Sequence, residues 1–205
     1  MTKVLGLTGG IASGKSTVSN YLDDLDIPIV DADRVARDVM RAGTSTVEKV
    51  AEQFGEEVLQ ENGEIDREYL GNLIFTYPEK RKQLNDIVRS EIRGVILAVK
   101  EKMLEKEPPL IVLDIPLLYE ADYENEVDEV MVVYVDSATQ KERLLKRNPD
   151  LSESEALNRI YSQKPLEDKA KLADVLVDNN GTIKQTIKQV DNWLESNFDE
   201  EFRQE

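Results

Sequence analysis

A chain of 205 residues suits one principal domain with room for helical insertions, long enough to bury a core without metal or disulfide staples. It has no cysteine and no histidine, which excludes disulfides, thiolate chemistry and imidazole bases or ligands, so proton abstraction near neutral pH falls to a carboxylate or a lysine. With 42 acidic and 26 basic residues the formal charge is -16, a field that disfavours general nucleic-acid binding.

Met1-Thr2-Lys3 runs straight into Val4-Leu5-Gly6-Leu7-Thr8, which reads as a first strand over Lys3–Thr8 rather than a signal peptide. No apolar run approaches the length of a bilayer crossing, so the expectation is a cytoplasmic protein with no membrane partner. The next segment, Gly9-Gly10-Ile11-Ala12-Ser13-Gly14-Lys15-Ser16, matches G-x-x-x-x-G-K-[ST] completely and opens a helix expected over Lys15–Leu25. With glycine at about 7% of residues, chance supplies such a match only about once in a hundred chains of this size. The glycines let the N–H groups of Gly10, Ile11, Ala12, Ser13 and Gly14 converge on phosphate oxygens at the positive end of a helix. Lys15 then neutralises the β and γ phosphates of ATP, Ser16 holds Mg2+, and Thr17 reaches the α phosphate.

A second strand, Ile27–Val30, ends at Asp31-Ala32-Asp33. A phosphoryl acceptor needs a nearby proton acceptor and orientation more than covalent help, and Asp33 is the candidate base. The bland alternative for this pair is an aspartate N-cap on a helix beginning at Arg34. The chain then spends Arg34–Lys106 on helical patterns near Ser45–Phe54, Arg67–Phe75 and Pro78–Glu105, with turns at Gly43, Gly55 and Asn62-Gly63. So long a crossover reads as a helical insertion over the carboxyl edge of the sheet, where such folds bind ligands.

Leu110–Leu113 and Glu129–Val135 are continuous apolar runs, as expected of strands covered on both faces. Asp114 ends the third strand, in the position of a carboxylate serving Mg2+ through water. The Ile115-Pro116-Leu117-Leu118 run after it either walls an acceptor pocket or packs in the core. Helices over Ala138–Lys146 and Glu153–Tyr161 follow, then a fifth strand, Val175–Val177, and a last helix, Ile183–Ser196. Arg143 and Arg147 share one helical face and can reach transferred phosphoryl oxygens, and Arg159 and Gln163 repeat the spacing. The alternative for the arginines is ordinary surface pairing with the abundant acids. Alternation of this kind predicts an α/β fold of the P-loop NTPase type: a five-stranded parallel sheet flanked by helices, with a helical insertion and a lid.

The chain resembles the dephospho-coenzyme A kinase family. The resemblance runs through Gly6-Leu7-Thr8 and the phosphate loop, Val30-Asp31-Ala32-Asp33, Phe54-Gly55, Gly63-Glu64-Ile65-Asp66-Arg67, Leu70 and Asp114–Glu120. It continues at Gln140, Arg143-Leu144, Arg147, Arg159-Ile160, Gln163 and Ala173-Asp174 through Asn180-Gly181, covering about residues 4 to 190. It implies phosphorylation of the ribose 3'-hydroxyl of dephospho-coenzyme A by ATP with Mg2+, by a single domain of residues 1–205. Within it, 1–33, 107–140 and 165–205 form the nucleotide-binding core, 34–106 the acceptor-binding insertion and 141–164 the lid. Asp33 becomes the base and Arg147 the lid arginine near the phosphates, while Asn180 falls near adenine. Arg67, Arg89, Asp114, Pro116, Leu117 and Leu118 fall on the acceptor side. A monomer acting on two small molecules is expected, with self-association left open.

Two positions depart from the family pattern. Arg89-Ser90 stands where the family commonly has His-Pro, so Arg89 either replaces an acceptor contact or marks local repacking. Ala12 replaces a frequent glycine, a mild change in the variable part of the loop. Rival readings are another small-molecule kinase such as a nucleoside-monophosphate kinase, a nucleotide-dependent switch, or a P-loop domain without catalysis.

Overall fold

The computed structural model describes residues 1–198 and Phe202; residues 199–201 and 203–205, the end of the expected 165–205 core segment, lie outside the described residues. The chain divides into two compact units, Met1–Val30 with Met103–Glu205, and Asp31–Lys102. In chain order the elements are β1 (Lys3–Gly9), α1 (Lys15–Asp24), β2 (Ile29–Asp31), α2 (Ala32–Val39), α3 (Ser45–Phe54), α4 (Arg67–Thr76) and α5 (Pro78–Leu104). They continue with β3 (Leu110–Asp114), β4 (Glu129–Tyr134), α6 (Ser137–Arg147), α7 (Glu153–Tyr161), α8 (Leu166–Leu172), β5 (Val175–Asp178) and α9 (Ile183–Asn197).

The first unit is built on a parallel sheet of order β2-β3-β1-β4-β5. All five residues of β3 are buried, as a continuous apolar run requires when helices cover both faces. β1 lies at the centre, with Leu7 opposite Asp114 of β3 and Gly9 opposite Val133 of β4. The chain leaves β1 toward β2 and leaves β3 toward β4, so the strand order reverses between β1 and β3. That reversal opens a crevice at the carboxyl ends of the two strands, where the phosphate loop and Asp114 emerge.

The main core joins Leu5, Leu7, Val112, Met131 and Val133 of the sheet to Val18 and Leu22 of α1 and to Val190, Trp193 and Leu194 of α9. Each such side chain contributes about 1.5–3 kcal/mol on burial, so the seat of the loop is stiff. The second unit has an apolar cluster of its own, with Val47, Val50 and Ala51 of α3 meeting Val58, Ile65, Leu70 and Leu84. Its helices start on side-chain caps, from Asp31 for α2, Thr44 for α3 and Asp66 for α4.

Three local expectations shift. β2 begins at Ile29 instead of Ile27, because Asp26 adopts a left-handed φ of 57 and Pro28, lacking an N–H, contributes only its carbonyl, to Val112 N at 2.9 Å. α2 begins at Ala32, two residues before the expected Arg34. α8 was not anticipated: its buried residues are Leu166 and Lys169, and a lysine does not register in a hydropathy pattern.

Candidate active site

The phosphate loop leaves the fully packed end of β1 and turns into α1 through Gly14, whose φ of 88 and ψ of 19 place it in the left-handed region. A Cβ on Gly14 would stand 2.1 Å from the Asn179 side-chain nitrogen, so both conformation and space demand glycine here. Ala12 also has a positive φ, 59, so a side chain sits where the family's glycine would be unstrained, at about 1–2 kcal/mol. The departure at Ala12 is therefore less mild than its place in the variable stretch suggests. No side chain caps α1, which leaves first-turn N–H groups for an anion beside Lys15 and the exposed Ser16. Thr17 is half-buried and its own N–H is taken by Gly14 O at 2.9 Å.

Side chains from the C-terminal part of the chain fix the loop backbone. The Ile11 N–H donates to Gln163 Oε1 at 2.9 Å, and Ile11 O accepts from Gln140 Nε2 at 2.8 Å. Asn179 Nδ2 donates to Ser13 O at 2.8 Å, while the Thr186 hydroxyl donates to Asn179 Oδ1 at 2.6 Å. Lys169 Nζ reaches Gly9 O at 3.3 Å. Three loop carbonyls are thus held by side-chain donors, so the loop is organised before any phosphate arrives, the condition under which fixed dipoles stabilise charge most effectively.

Lys15 Nζ is paired with Asp114 Oδ1, and both side chains are largely buried. Arg143 donates to Asn179 O at 2.9 Å, which ties α6 to the loop after β5. Arg147, in the last turn of α6, is exposed and among the described residues makes only a long 3.5 Å contact with Asn148 Oδ1. Asn180 is exposed, with its Oδ1 accepting from Asp136 N at 3.0 Å and its amide donating to Asp178 Oδ1 at 2.7 Å. In the segment after β3, Pro116 O accepts from Thr8 Oγ1 at 3.0 Å and Leu117 is exposed, whereas Leu118 is fully buried with a methyl against Gly6. Burial together with the Asp174 and Glu124 carboxylates pushes the Tyr119 hydroxyl up to about 12. That hydroxyl has no hydrogen-bond partner among the described residues.

In the second unit, Asp31 accepts from Arg34 N at 3.0 Å and so acts as the N-cap of α2. Asp33, two residues on, lies exposed in the first turn, and among the described residues no hydrogen bond or ion pair engages its carboxylate. The pair therefore divides its roles, one residue committed to the backbone and the other available. Arg67 is the exposed first residue of α4, and Arg89 is exposed on α5. Near Arg89, Glu91 accepts from Lys49 Nζ at 2.5 Å and from Ser45 at 3.1 Å, and the Lys49 hydrogen bond, ahead of Ser45, lowers the pKa of its carboxyl.

Asn179, Thr186 and Lys169 did not stand out in the sequence. Asn179 falls inside the run of resemblance from Ala173 to Gly181 with no role of its own there, yet, just past β5, it is buried where Asn180 is exposed, and it touches the loop. Gln140 was visible only through the family resemblance and Gln163 also through its spacing from Arg159, but nothing in either signal shows that they hold the C=O and the N–H of Ile11.

A phosphate loop, an acidic strand end and a helix-borne arginine pair define a class of kinase but no acceptor. The family model described as dephospho-CoA kinase matches residues 3–185. The chain belongs to the dephospho-CoA kinase family. A dephospho-CoA kinase from Oceanobacillus iheyensis is 47% identical to this family member over 195 residues, covering 95% of this chain and 98% of the relative. Among solved structures, TT1252 from Thermus thermophilus superposes with a TM-score of 0.75 at 32% identity, over 95% of this chain and 97% of that one. The dephospho-CoA kinase from Campylobacter jejuni gives a TM-score of 0.71 at 29% identity, over 96% and 98%. The five-stranded sheet, flanking helices and helical insertion are those of P-loop kinases. Among the described residues no helix is long and apolar enough to cross a membrane.

Family membership implies use of ATP with Mg2+. Among the described residues no group of three or more acidic side chains could cage a metal ion. The Ser16 hydroxyl, in the first turn of α1, and the Asp114 carboxylate, at the end of β3, are instead the sparse oxygen set expected of Mg2+ bound chiefly through substrate phosphates and water. The residues present fit the ion.

Proposed function

We propose that the chain transfers the γ-phosphoryl group of ATP to the ribose 3'-hydroxyl of dephospho-coenzyme A, giving coenzyme A and ADP. The observation that carries this reading is the family match over residues 3–185, which includes the complete phosphate loop and both neighbouring acidic strand ends. Gly10, Ile11, Ala12, Ser13 and Gly14 form the backbone cradle, with Ser16 and Thr17 at the start of α1. Lys15, paired with Asp114, turns its ammonium to the β and γ phosphates as they enter, and Ser16 with Asp114 would hold Mg2+, Asp114 through water. The ion would supply neutralisation of the phosphate charge.

Arg147, weakly held and exposed, is suited to swing onto the transferred oxygens; Arg143, fixed to Asn179 O, serves as a stationary contact. Asn180 lies on the loop that closes on the nucleotide base, and residues 141–164 act as the lid that excludes water. Asp33 orients the acceptor hydroxyl and takes its proton, a role supported by its unengaged carboxylate. Arg67 and Arg89 contribute positive charge for the anionic acceptor, Pro116 and exposed Leu117 give it an apolar wall, and Leu118 supports that wall from beneath. The enzyme works in the cytosol on these two small molecules, as a monomer and without nucleic acid or membrane.

The test is acceptor-dependent ADP formation with dephospho-coenzyme A compared with AMP, GMP, CMP and shikimate. Only dephospho-coenzyme A should stimulate strongly; stimulation by a nucleoside monophosphate alone would overturn the assignment. Asp33→Asn should lower kcat by about 10²-fold or more, the scale of a positioned base, with ATP affinity unchanged. Equal turnover would remove Asp33 from the mechanism.

A further inference from the structure

Lys169 is a fully buried lysine in the short helix α8, and the reaction as derived above does not use it. An ammonium has three N–H groups and here has three partners: Glu120 Oε1 at 2.9 Å, Pro116 O at 3.1 Å and Gly9 O at 3.3 Å. The partners come from two segments with different duties. Gly9 is the root of the phosphate loop, where β1 ends. Pro116 and Glu120 bracket the segment after β3 that walls the acceptor under the proposed function. The same two segments meet a second time where Thr8 Oγ1 donates to Pro116 O at 3.0 Å. Glu120 Oε1 also accepts from Lys164 N at 3.0 Å, which links the end of the lid region to the same node.

A buried ion pair is weak evidence for stability, because desolvation offsets most of its attraction and apolar replacements often fold as well or better. What an apolar side chain cannot do is hold two carbonyl oxygens at fixed separation. From this we infer that Lys169 is a positioning residue. Its ammonium sets the register between the loop that holds the donor phosphates and the wall that holds the acceptor, so that the acceptor hydroxyl meets the γ-phosphorus in line. The inference rests on the dephospho-coenzyme A reading for the identity of the acceptor.

In-line transfer tolerates little error, and a displacement of about 1 Å can cost roughly 100-fold in rate. Lys169→Met keeps an unbranched side chain of similar length and removes all three donors. Lys169→Met/Glu120→Gln removes both charges, so that no carboxylate is left without its counter-ion. The experiment measures coenzyme A and ADP in the same reaction, together with ATP affinity and thermal unfolding. Wild type should form one coenzyme A per ADP; if it forms none, the acceptor reading fails, independently of Lys169.

With wild type active, both variants should lose roughly 10- to 100-fold in kcat for transfer while ATP affinity changes less than about 3-fold. Their yield of coenzyme A per ADP should fall below one, because water competes for a phosphoryl group whose acceptor is misaligned. A merely structural role predicts the opposite pattern: less active protein, both products reduced together, and an unchanged ratio. That result would overturn the inference, as would wild-type turnover in both variants or loss of the fold in both.

Discussion

Replacing Asn179 with alanine tests whether the loop is organised by side chains that the phosphate-loop motif does not contain. The amide of Asn179 is buried, donates to Ser13 O at 2.8 Å and accepts from the Thr186 hydroxyl at 2.6 Å. Asn179→Ala strips both partners at once. Each buried polar group left unsatisfied costs about 1–3 kcal/mol, and since the Thr186 hydroxyl keeps Thr182 O at 3.3 Å, the loss lies between one such group and two, about 1–6 kcal/mol. At about 2–4 °C per kcal/mol for a chain of this size, Tm should fall by roughly 2–24 °C. The Arg143 contact goes to the Asn179 backbone carbonyl and survives the substitution, so α6 need not detach.

Thr186 lies on α9 and is fully buried. Thr186→Val should cost about 1 kcal/mol on its own. The double variant should then be less destabilised than the sum of the singles, by about 0.5–3 kcal/mol, because the second substitution removes a hydroxyl that has already lost its Asn179 partner and keeps only the longer bond to Thr182 O. Thermal unfolding of the four proteins supplies this cycle, and ATP titration of each shows whether the freed Ser13 carbonyl loosens the phosphate grip. Additive effects, or a Tm shift of less than about 2 °C for Asn179→Ala, would refute the network.

Gln163→Leu removes the acceptor for the Ile11 N–H while leaving the Gln140 bond to Ile11 O in place. KM for ATP should rise several-fold and Tm should fall by only about 1–6 °C, since one partly exposed hydrogen bond contributes about 0.5–1.5 kcal/mol; steady-state kinetics beside a melting curve checks both. Tyr119, raised by burial and the Asp174 and Glu124 carboxylates, and Tyr21, raised by burial and its hydrogen bond to Asp191, both titrate at about 12. Their folded pKa values exceed the unfolded value of about 10, so the folded state holds those protons longer. The stability they contribute is fully present below about pH 10 and is lost as pH rises toward 12. In a phenolate absorbance titration Tyr21 and Tyr119 should ionise late, and Tyr119→Phe should remove one phenol from the late phase.

The sequence determined the architecture, the strand that feeds the phosphate loop, and most helix positions. Those features follow from short-range rules: apolar runs for buried strands, a glycine pattern with one lysine, and caps at helix starts. α7 lies at Glu153–Tyr161 as its pattern predicts, and Ser152 with Glu155 closes a capping box there. Local pattern also set the two readings of Asp31 and Asp33, but it did not choose between them. The folded chain gives the cap to Asp31, whose carboxylate meets Arg34 N, and leaves Asp33 exposed.

What only the tertiary structure decided is which distant side chains finish the loop. Asn179 contacts Ser13 across 166 positions of sequence, and Lys169 contacts Gly9 across 160. Such pairings arise from the parallel strand order, which brings the ends of β1, β3, β4 and β5 to one edge of the sheet. The physical reason is the difference between local and non-local specification. A glycine's φ or a helix cap is fixed by the residues beside it, whereas a buried lysine or asparagine gains its partners only after the sheet has closed around it.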